Sequence, residues 1–248
     1  MVEWSRYFDS VVVIHYLPNR ERLKSLQYQL DKIGLLSNPI LSWEYTMPNP
    51  FEESAYNTFA KKCPTLTLGQ YSGAIAHYHA IRSSYELGHE RILVLENDIA
   101  FHNDFADYVV AMPKDADLIM FDYNGFAVRQ HTTDIEVQYR TFTTEPYYQS
   151  AAYVLNRRYM KHYIDNQETM LREADAYLRF VGRKDDLRRY ITNVPTVIQI
   201  PDNVAMGAKK GYLKHCVSFY EKIGIKYDDY FLTSKQKEDI ELWKHKAL

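Results

Sequence analysis

At 248 residues and 29.3 kDa the chain has the length of one large domain or two small ones, enough to bury a core without a staple. A composition of 46% hydrophobic and 25% charged residues excludes wholesale disorder. Thirty basic residues against 32 acidic ones leave a formal charge of -2, which disfavours a mainly electrostatic nucleic-acid binder while leaving room for a local basic patch.

Two cysteines, Cys63 and Cys216, are too few for a disulfide framework or a thiolate zinc site. They fit a chain at home in a reducing cytosol, so a cytoplasmic location is the expectation. No run approaches the roughly 20 apolar residues of a membrane helix. Val11 to Ile14 is too short for a signal-peptide core. The 22 tyrosines are the compositional anomaly. Tyrosine suits half-wet clefts, where the ring is buried and the hydroxyl finds a partner, and it equally suits the edge of a core.

In chain order, the first element is the unbroken apolar quartet Val11-Val12-Val13-Ile14. Ile92 to Leu95 and Leu118 to Phe121 repeat the pattern. Continuous rather than alternating hydrophobicity is what strands covered on both faces require, as in a parallel sheet. After Asn19, a predicted N-cap, Leu23, Leu26, Leu30 and Ile33 fall at helical spacing, and Gly34 supplies a left-handed stop. Leu41 to Pro64, with Pro48 and Pro50 inside it, reads as a long irregular loop. Thr67 to Gln70 has the capping-box pattern and opens a helix with Ile75, Tyr78, Ile81 and Tyr85 on one stripe, ending before Gly88. Ser150 to Leu155 reads as a strand. Asn156 then caps a helix carrying Tyr159, Met160, Tyr163 and Ile164, and Thr196 to Ile200 reads as a final strand. A charged helix from Ser234 to Leu248 is expected on the surface. The alternation predicts an α/β layered domain with a mostly parallel sheet flanked by helices.

Ligands of open parallel sheets bind outside the carboxyl ends of the strands. Just past the three quartets stand His15, Glu96-Asn97-Asp98 and Asp122, polar and mostly acidic. Adjacent carboxylates repel one another unless a cation lies between them. An oxygen donor set without cysteine suits Mg²⁺ or Mn²⁺ held by one or two carboxylates and substrate phosphates. The tripeptide taken alone also fits a turn. His77 and His79 stand two apart on a helix and so point to different faces; a lone helical histidine is more often a buried hydrogen-bonder than a ligand. The sequence has no Walker loop, nucleophile elbow or Gly-x-Gly-x-x-Gly, and its nine glycines leave no Gly-rich phosphate cradle.

Thr67 to His77 followed by Ile92 to Asp98 resembles glycosyltransferase family 25, in which a Leu-Thr-Pro-Gly-Glu-like helix start and a Ser-His pair precede an apolar strand ending in Glu-Asp-Asp. Val13-Ile14-His15-Tyr16 with Arg22-Leu23 is similar to the family's opening segment. Tyr153 to Arg158 is similar to its Tyr-Leu-Ile-Ser-Arg-Arg run, Asp175 to Leu178 to its Asp-Glu-Phe-Leu run, and Pro195 to Gln199 to its Pro-x-x-x-Gln strand. The likeness spans roughly residues 11 to 200 in order.

This resemblance implies a GT-A fold, Rossmann-like, in a single domain. Residues 1–125 would form the nucleotide-sugar half, 126–205 the acceptor-side half and 206–248 a C-terminal helical segment. It implies inverting transfer of a hexose such as galactose from a UDP-sugar or other nucleotide-sugar donor to a lipopolysaccharide-type or other glycan or glycolipid acceptor. Mn²⁺ or Mg²⁺ would serve as cofactor, with no nucleic-acid partner and with peripheral association at the inner membrane face. Asp98 would be the direct metal ligand, aided by Glu96. His15, Arg22, Glu96, Asn97 and His77 would serve the donor, His77 from behind the metal-bearing strand. Asp175 is the expected base and Asp122 the second choice. Tyr123, Tyr147, Tyr148 and Tyr153 are acceptor-cleft candidates. Asn97 in place of the middle Asp, His15-Tyr16 in place of Asn-Leu and Leu68 in place of Pro depart from the family pattern. The alternative reading is a non-catalytic descendant that binds a nucleotide or glycan without turnover. A metal-dependent nuclease or nucleotidyltransferase would also need clustered acids, but it would need a basic stripe as well.

Overall fold

The computed structural model describes residues 2–16, 19–46, 68–122, 139–141, 150–166, 174–182, 186–200 and 212–245. Its strands are β1 (Ser10–Tyr16), β2 (Leu41–Thr46), β3 (Arg91–Glu96), β4 (Ile99–Phe101), β5 (Leu118–Met120), β6 (Tyr139–Thr141), β7 (Ala152–Asn156), β8 (Arg189–Thr192) and β9 (Val197–Gln199). Its helices are α1 (Arg20–Lys32), α2 (Leu68–Glu86), α3 (Phe105–Val110), α4 (Arg157–Asp165), α5 (Ala174–Val181), α6 (Tyr212–Lys222) and α7 (Ser234–His245). Among the described residues seven strands form one sheet in the order β2-β1-β3-β7-β5-β8-β6, and β4 pairs with β9 in a separate ribbon.

The sheet is mostly parallel, as the apolar quartets predict, with β7 and β6 running against the other strands. The quartets are unbroken because each strand feeds two cores. Val11, Val13, Leu93 and Leu95 pack on one face with Leu26 and Leu30 of α1 and Phe105 of α3. Val12, Ile14, Ile92 and Val94 pack on the other with α2, α4 and α5. A third core joins Ala100 and Ile198 of the β4–β9 ribbon to Val217 and Tyr220 of α6 and Ile240 of α7. Complete burial of each such aliphatic side chain contributes roughly 1.5–3 kcal/mol.

The predicted punctuation is present. Asn19 Oδ1 accepts from Arg22 N at 3.0 Å and Asn156 Oδ1 from Tyr159 N at 2.9 Å. Gly34 and Gly88 take φ of 74° and 84°, in the left-handed region where Cβ would be strained. Thr67 of the expected capping box lies outside the described residues.

Four expectations need correction. Leu41 to Thr46 is an edge strand rather than the start of a loop; β2 pairs in parallel with β1 over Val11 to Tyr16. Helix α2 turns its small face inward: Ala76, His77, Ala80, Ile81 and Ser84 are buried, while Ile75, Tyr78 and Tyr85 are half-buried. Small side chains let this helix lie close to the sheet. The strand at Thr196 to Ile200 belongs to the ribbon, outside the main sheet. Helix α7 is more than a surface element, since Ile240 is buried and Gln236 reaches the buried Gln29 of α1.

Candidate active site

The parallel register of β1 with β3 sets Ile14 opposite Glu96, so both strands end at one edge and His15 comes beside Asn97. Asn97 Nδ2 donates to His15 Nδ1 at 2.8 Å, while its Oδ1 accepts from Arg22 Nη1 at 3.2 Å. Asn97 thus bridges His15 and Arg22; an aspartate in its place could accept from Arg22 but could not donate to His15 Nδ1. Burial, and secondly the Arg22 charge, push the His15 pKa below its ordinary value, which keeps the ring in the neutral form this bond requires. Trp43 of β2 meets the His15 ring edge-on, with 6.2 Å between centroids.

Arg22 lies in the first turn of α1, directly after β1, and its Nη1 is 3.5 Å from Asp98 Oδ2. Glu96 is gripped from several directions. His77 Nε2 lies 3.2 Å from its Oε1, and Ser150 Oγ donates to the same oxygen at 2.6 Å. His77, 2% exposed, is itself fixed by Tyr153 OH at 2.7 Å from Nδ1. Burial works to raise the Glu96 carboxyl, but the His77 bond and charge, the Ser150 bond and the Arg22 charge outweigh it and hold the group below its ordinary value.

Glu96 and Asp98 converge on one atom. Gln199 Nε2 donates to Glu96 Oε2 at 3.2 Å and lies 3.2 and 3.3 Å from the two Asp98 oxygens. The ribbon register, Ile99 opposite Gln199, and the Ile200 N to Asp98 O bond of 2.6 Å make this meeting a consequence of backbone pairing. His15, Arg22, His77, Glu96, Asn97 and Asp98 therefore belong to one connected network at the carboxyl edge of the sheet. Two carboxylates, the Arg22 guanidinium and the His77 imidazole thus share this edge. Among the described residues no group of three or more His, Cys, Asp and Glu gathers as a metal site. Two carboxylates with a neighbouring amide nevertheless fit Mg²⁺ or Mn²⁺, which take oxygen ligands and complete their shells with water and substrate phosphate.

The remaining candidates divide. Asp122 is fully buried, and its two oxygens accept Ala151 N and Ala152 N at 3.0 Å each, bracing the start of β7. Burial raises its pKa well above the ordinary value; the backbone bonds pull it down, while the Glu96 charge adds to the rise. Tyr153 does not line an acceptor cleft: it is 0% exposed, and its hydroxyl supports His77. Asp175 lies in the first turn of α5, partly exposed, with Oδ1 accepting its neighbour Ala176 N. Tyr123, Tyr147 and Tyr148 lie outside the described residues. Ser150 and Gln199 were not foreseen as site residues. Both reach the acidic pair because β7 and β9 run antiparallel to β3 and β4, and strand direction leaves no mark on a hydrophobic pattern. The one available signal for Gln199 was its place in the Pro-x-x-x-Gln segment.

No protein-family model and no curated protein matches the sequence. Among solved structures, A197 from STIV aligns at 11% identity over 78% of this chain and 86% of its own, with a TM-score of 0.45. The glycosyltransferase GlyE of Streptococcus pneumoniae TIGR4 aligns at 9% identity over 96% of this chain, which spans 64% of GlyE, with a TM-score of 0.43. A glycosyltransferase involved in the glycosylation of the major capsid of PBCV-1 aligns at 11% identity over 65% of this chain and 66% of its own, with a TM-score of 0.32. With every one of these TM-scores below 0.5, the chemistry has to be read from the chain's own residues. Among the described residues no helix is long and apolar enough to cross a membrane.

Proposed function

We propose that the protein is a GT-A-type glycosyltransferase that moves a sugar from a nucleoside-diphosphate donor to the hydroxyl of a glycan or glycolipid acceptor. The observation that carries this reading is the convergence of Glu96 and Asp98 on a single atom at the carboxyl edge of a mostly parallel sheet, beside Arg22 in the first turn of α1. The sequence resemblance to glycosyltransferase family 25, carried in part by these same residues, agrees with it.

A Mn²⁺ or Mg²⁺ ion bound by Asp98 and Glu96 would supply positive charge to the departing diphosphate. The chain's own groups do the rest. Arg22 adds a guanidinium at the same edge, and the amino end of α1 offers partial positive charge to an anionic donor. His15, held neutral, and Asn97 fix the approach to the donor's nucleoside without adding charge. His77, backed by Tyr153, and Ser150 hold Glu96 ionised and in one orientation. Inversion is a single in-line displacement: the acceptor oxygen bonds to the anomeric carbon as the bond to the diphosphate oxygen breaks, and the acceptor proton passes to a carboxylate. Asp175 is assigned that role because it meets solvent, whereas Asp122 is sealed beneath β7.

A panel of nucleotide sugars incubated with the protein and Mn²⁺ tests the assignment. Slow metal-dependent release of the nucleoside diphosphate from at least one donor, without acceptor, is the expected result; release from none would overturn it. One observation favours a second reading, a non-catalytic nucleotide or glycan binder: Arg22 already offsets the charge of Asp98. Metal-independent nucleotide binding without hydrolysis would support that reading instead.

A further inference from the structure

Gln199 is more than a neighbour of the acidic pair. Its terminal nitrogen lies 3.2 Å from Glu96 Oε2 and 3.2 Å from Asp98 Oδ1. In an octahedral shell with metal–oxygen distances of 2.0–2.1 Å, adjacent ligand atoms are about 3 Å apart. The end of the Gln199 side chain thus stands toward both carboxylates at the spacing of a third ligand on one face of such a shell. A half-turn of the amide exchanges Nε2 for Oε1, a neutral hard oxygen of the kind Mg²⁺ and Mn²⁺ accept. The donor nitrogen facing inward satisfies the carboxylates when no ion is present, and the oxygen facing inward satisfies the ion.

The surrounding structure anchors the backbone of this residue from both sides. Gln199 N donates to the buried Tyr220 OH of α6 at 2.9 Å, and Ile200 N is bonded to Asp98 O. The backbone that carries Gln199 is therefore tied to the backbone that carries Asp98, and the helical C-terminal segment braces the pair.

We infer that Gln199 is the third protein ligand of the divalent cation, its amide rotating between a donor state without the ion and an acceptor state with it. The inference rests on the cation-dependent reading of the site proposed above. Its test is Mn²⁺ binding followed by the electron paramagnetic resonance of free Mn²⁺, with Mn²⁺ alone and with Mn²⁺ plus UDP, on the full chain, Gln199→Met and Gln199→Glu. Methionine keeps the length but removes the oxygen. Loss of a ligand is expected to weaken Mn²⁺ binding at least tenfold in Gln199→Met, on the scale found even for groups that only support a ligand. Gln199→Glu is expected to bind at least as tightly as the parent, to melt lower without metal because three carboxylates then face one another, and to gain more in melting temperature from Mn²⁺. If Gln199→Met does not fold, these two responses of Gln199→Glu carry the test, and their absence overturns the inference. Equal or tighter Mn²⁺ binding by Gln199→Met, with the parent binding normally, overturns the role of Gln199 and leaves the cation site standing. No Mn²⁺ binding by the parent, even with UDP, overturns both.

Discussion

Asp122→Asn separates a bracing carboxylate from a chemical one. In the parent both oxygens accept backbone N–H groups, Ala151 and Ala152, in a position with no exposed surface. Asparagine keeps one acceptor and turns an NH₂ against the other N–H, leaving a buried donor unsatisfied at about 1–3 kcal/mol. Part of that loss is offset, because the raised pKa of Asp122 records a desolvation cost that the neutral amide does not carry. The net destabilisation should be about 1–2 kcal/mol, a fall in melting temperature of roughly 2–8 °C for a chain of this size. The pH dependence has a fixed sign. An acid whose folded pKa is raised contributes stability that is present below its unfolded value, about 3.9, and is lost as pH rises through the folded value. The parent's advantage over the variant should therefore narrow as pH rises above about 4. Thermal denaturation followed by circular dichroism across pH 4 to 8 measures both effects. A variant with an unchanged melting temperature that has nevertheless lost donor turnover would refute the reasoning and return Asp122 to the chemistry.

Two further substitutions probe the network. Asn97→Asp removes the donor to His15 Nδ1 and places a carboxylate about 2.8 Å from the ring, so the His15 pKa, lowered by burial and the Arg22 charge, should rise in an NMR titration; an unchanged value would mean that the residue at 97 does not face the ring. Glu96→Gln removes a carboxyl whose folded pKa is depressed, a contribution present above the unfolded value of about 4.3 and lost as pH falls through the folded one. The parent's acid limb of melting temperature against pH should accordingly fall more steeply than the variant's, and parallel limbs would contradict the grip of His77 and Ser150 on Glu96.

Much of the fold was legible because its signals are local. The quartets at Val11, Ile92 and Leu118 declare two-sided burial, and Asn19, Asn156, Gly34 and Gly88 are punctuation whose chemistry acts within a few residues. The acidic edge was legible for the same reason: strand ends in a parallel sheet lie side by side, and Glu96 and Asp98 follow one of them. The rest depended on pairing at long range. β2 was hidden because Leu41 to Thr46 lies at the sheet edge, where Ser42 is exposed and Trp43 and Glu44 are half-buried, so no apolar run announces it. Ser150 and Gln199 enter the site only through the antiparallel course of β7 and β9, and the inward face of α2 is set by close approach to the sheet rather than by its largest side chains. Tyr153 carries an aromatic's usual ambiguity between cleft and core, which its 0% exposure resolves toward the core.

The central claim, that the acidic pair binds a cation for a donor's diphosphate, meets its most direct measurement in the melting temperature of the parent and of Asp98→Ala with UDP, with Mn²⁺ and with both. The two together should stabilise the parent by more than the sum of their separate effects. At a hundredfold excess over the dissociation constant the gain is about 2.7 kcal/mol, or roughly 5–11 °C. Asp98→Ala should lose that cooperative shift. A parent that fails to respond to Mn²⁺ with UDP or any other common nucleoside diphosphate, or a variant that responds as the parent does, would contradict the account.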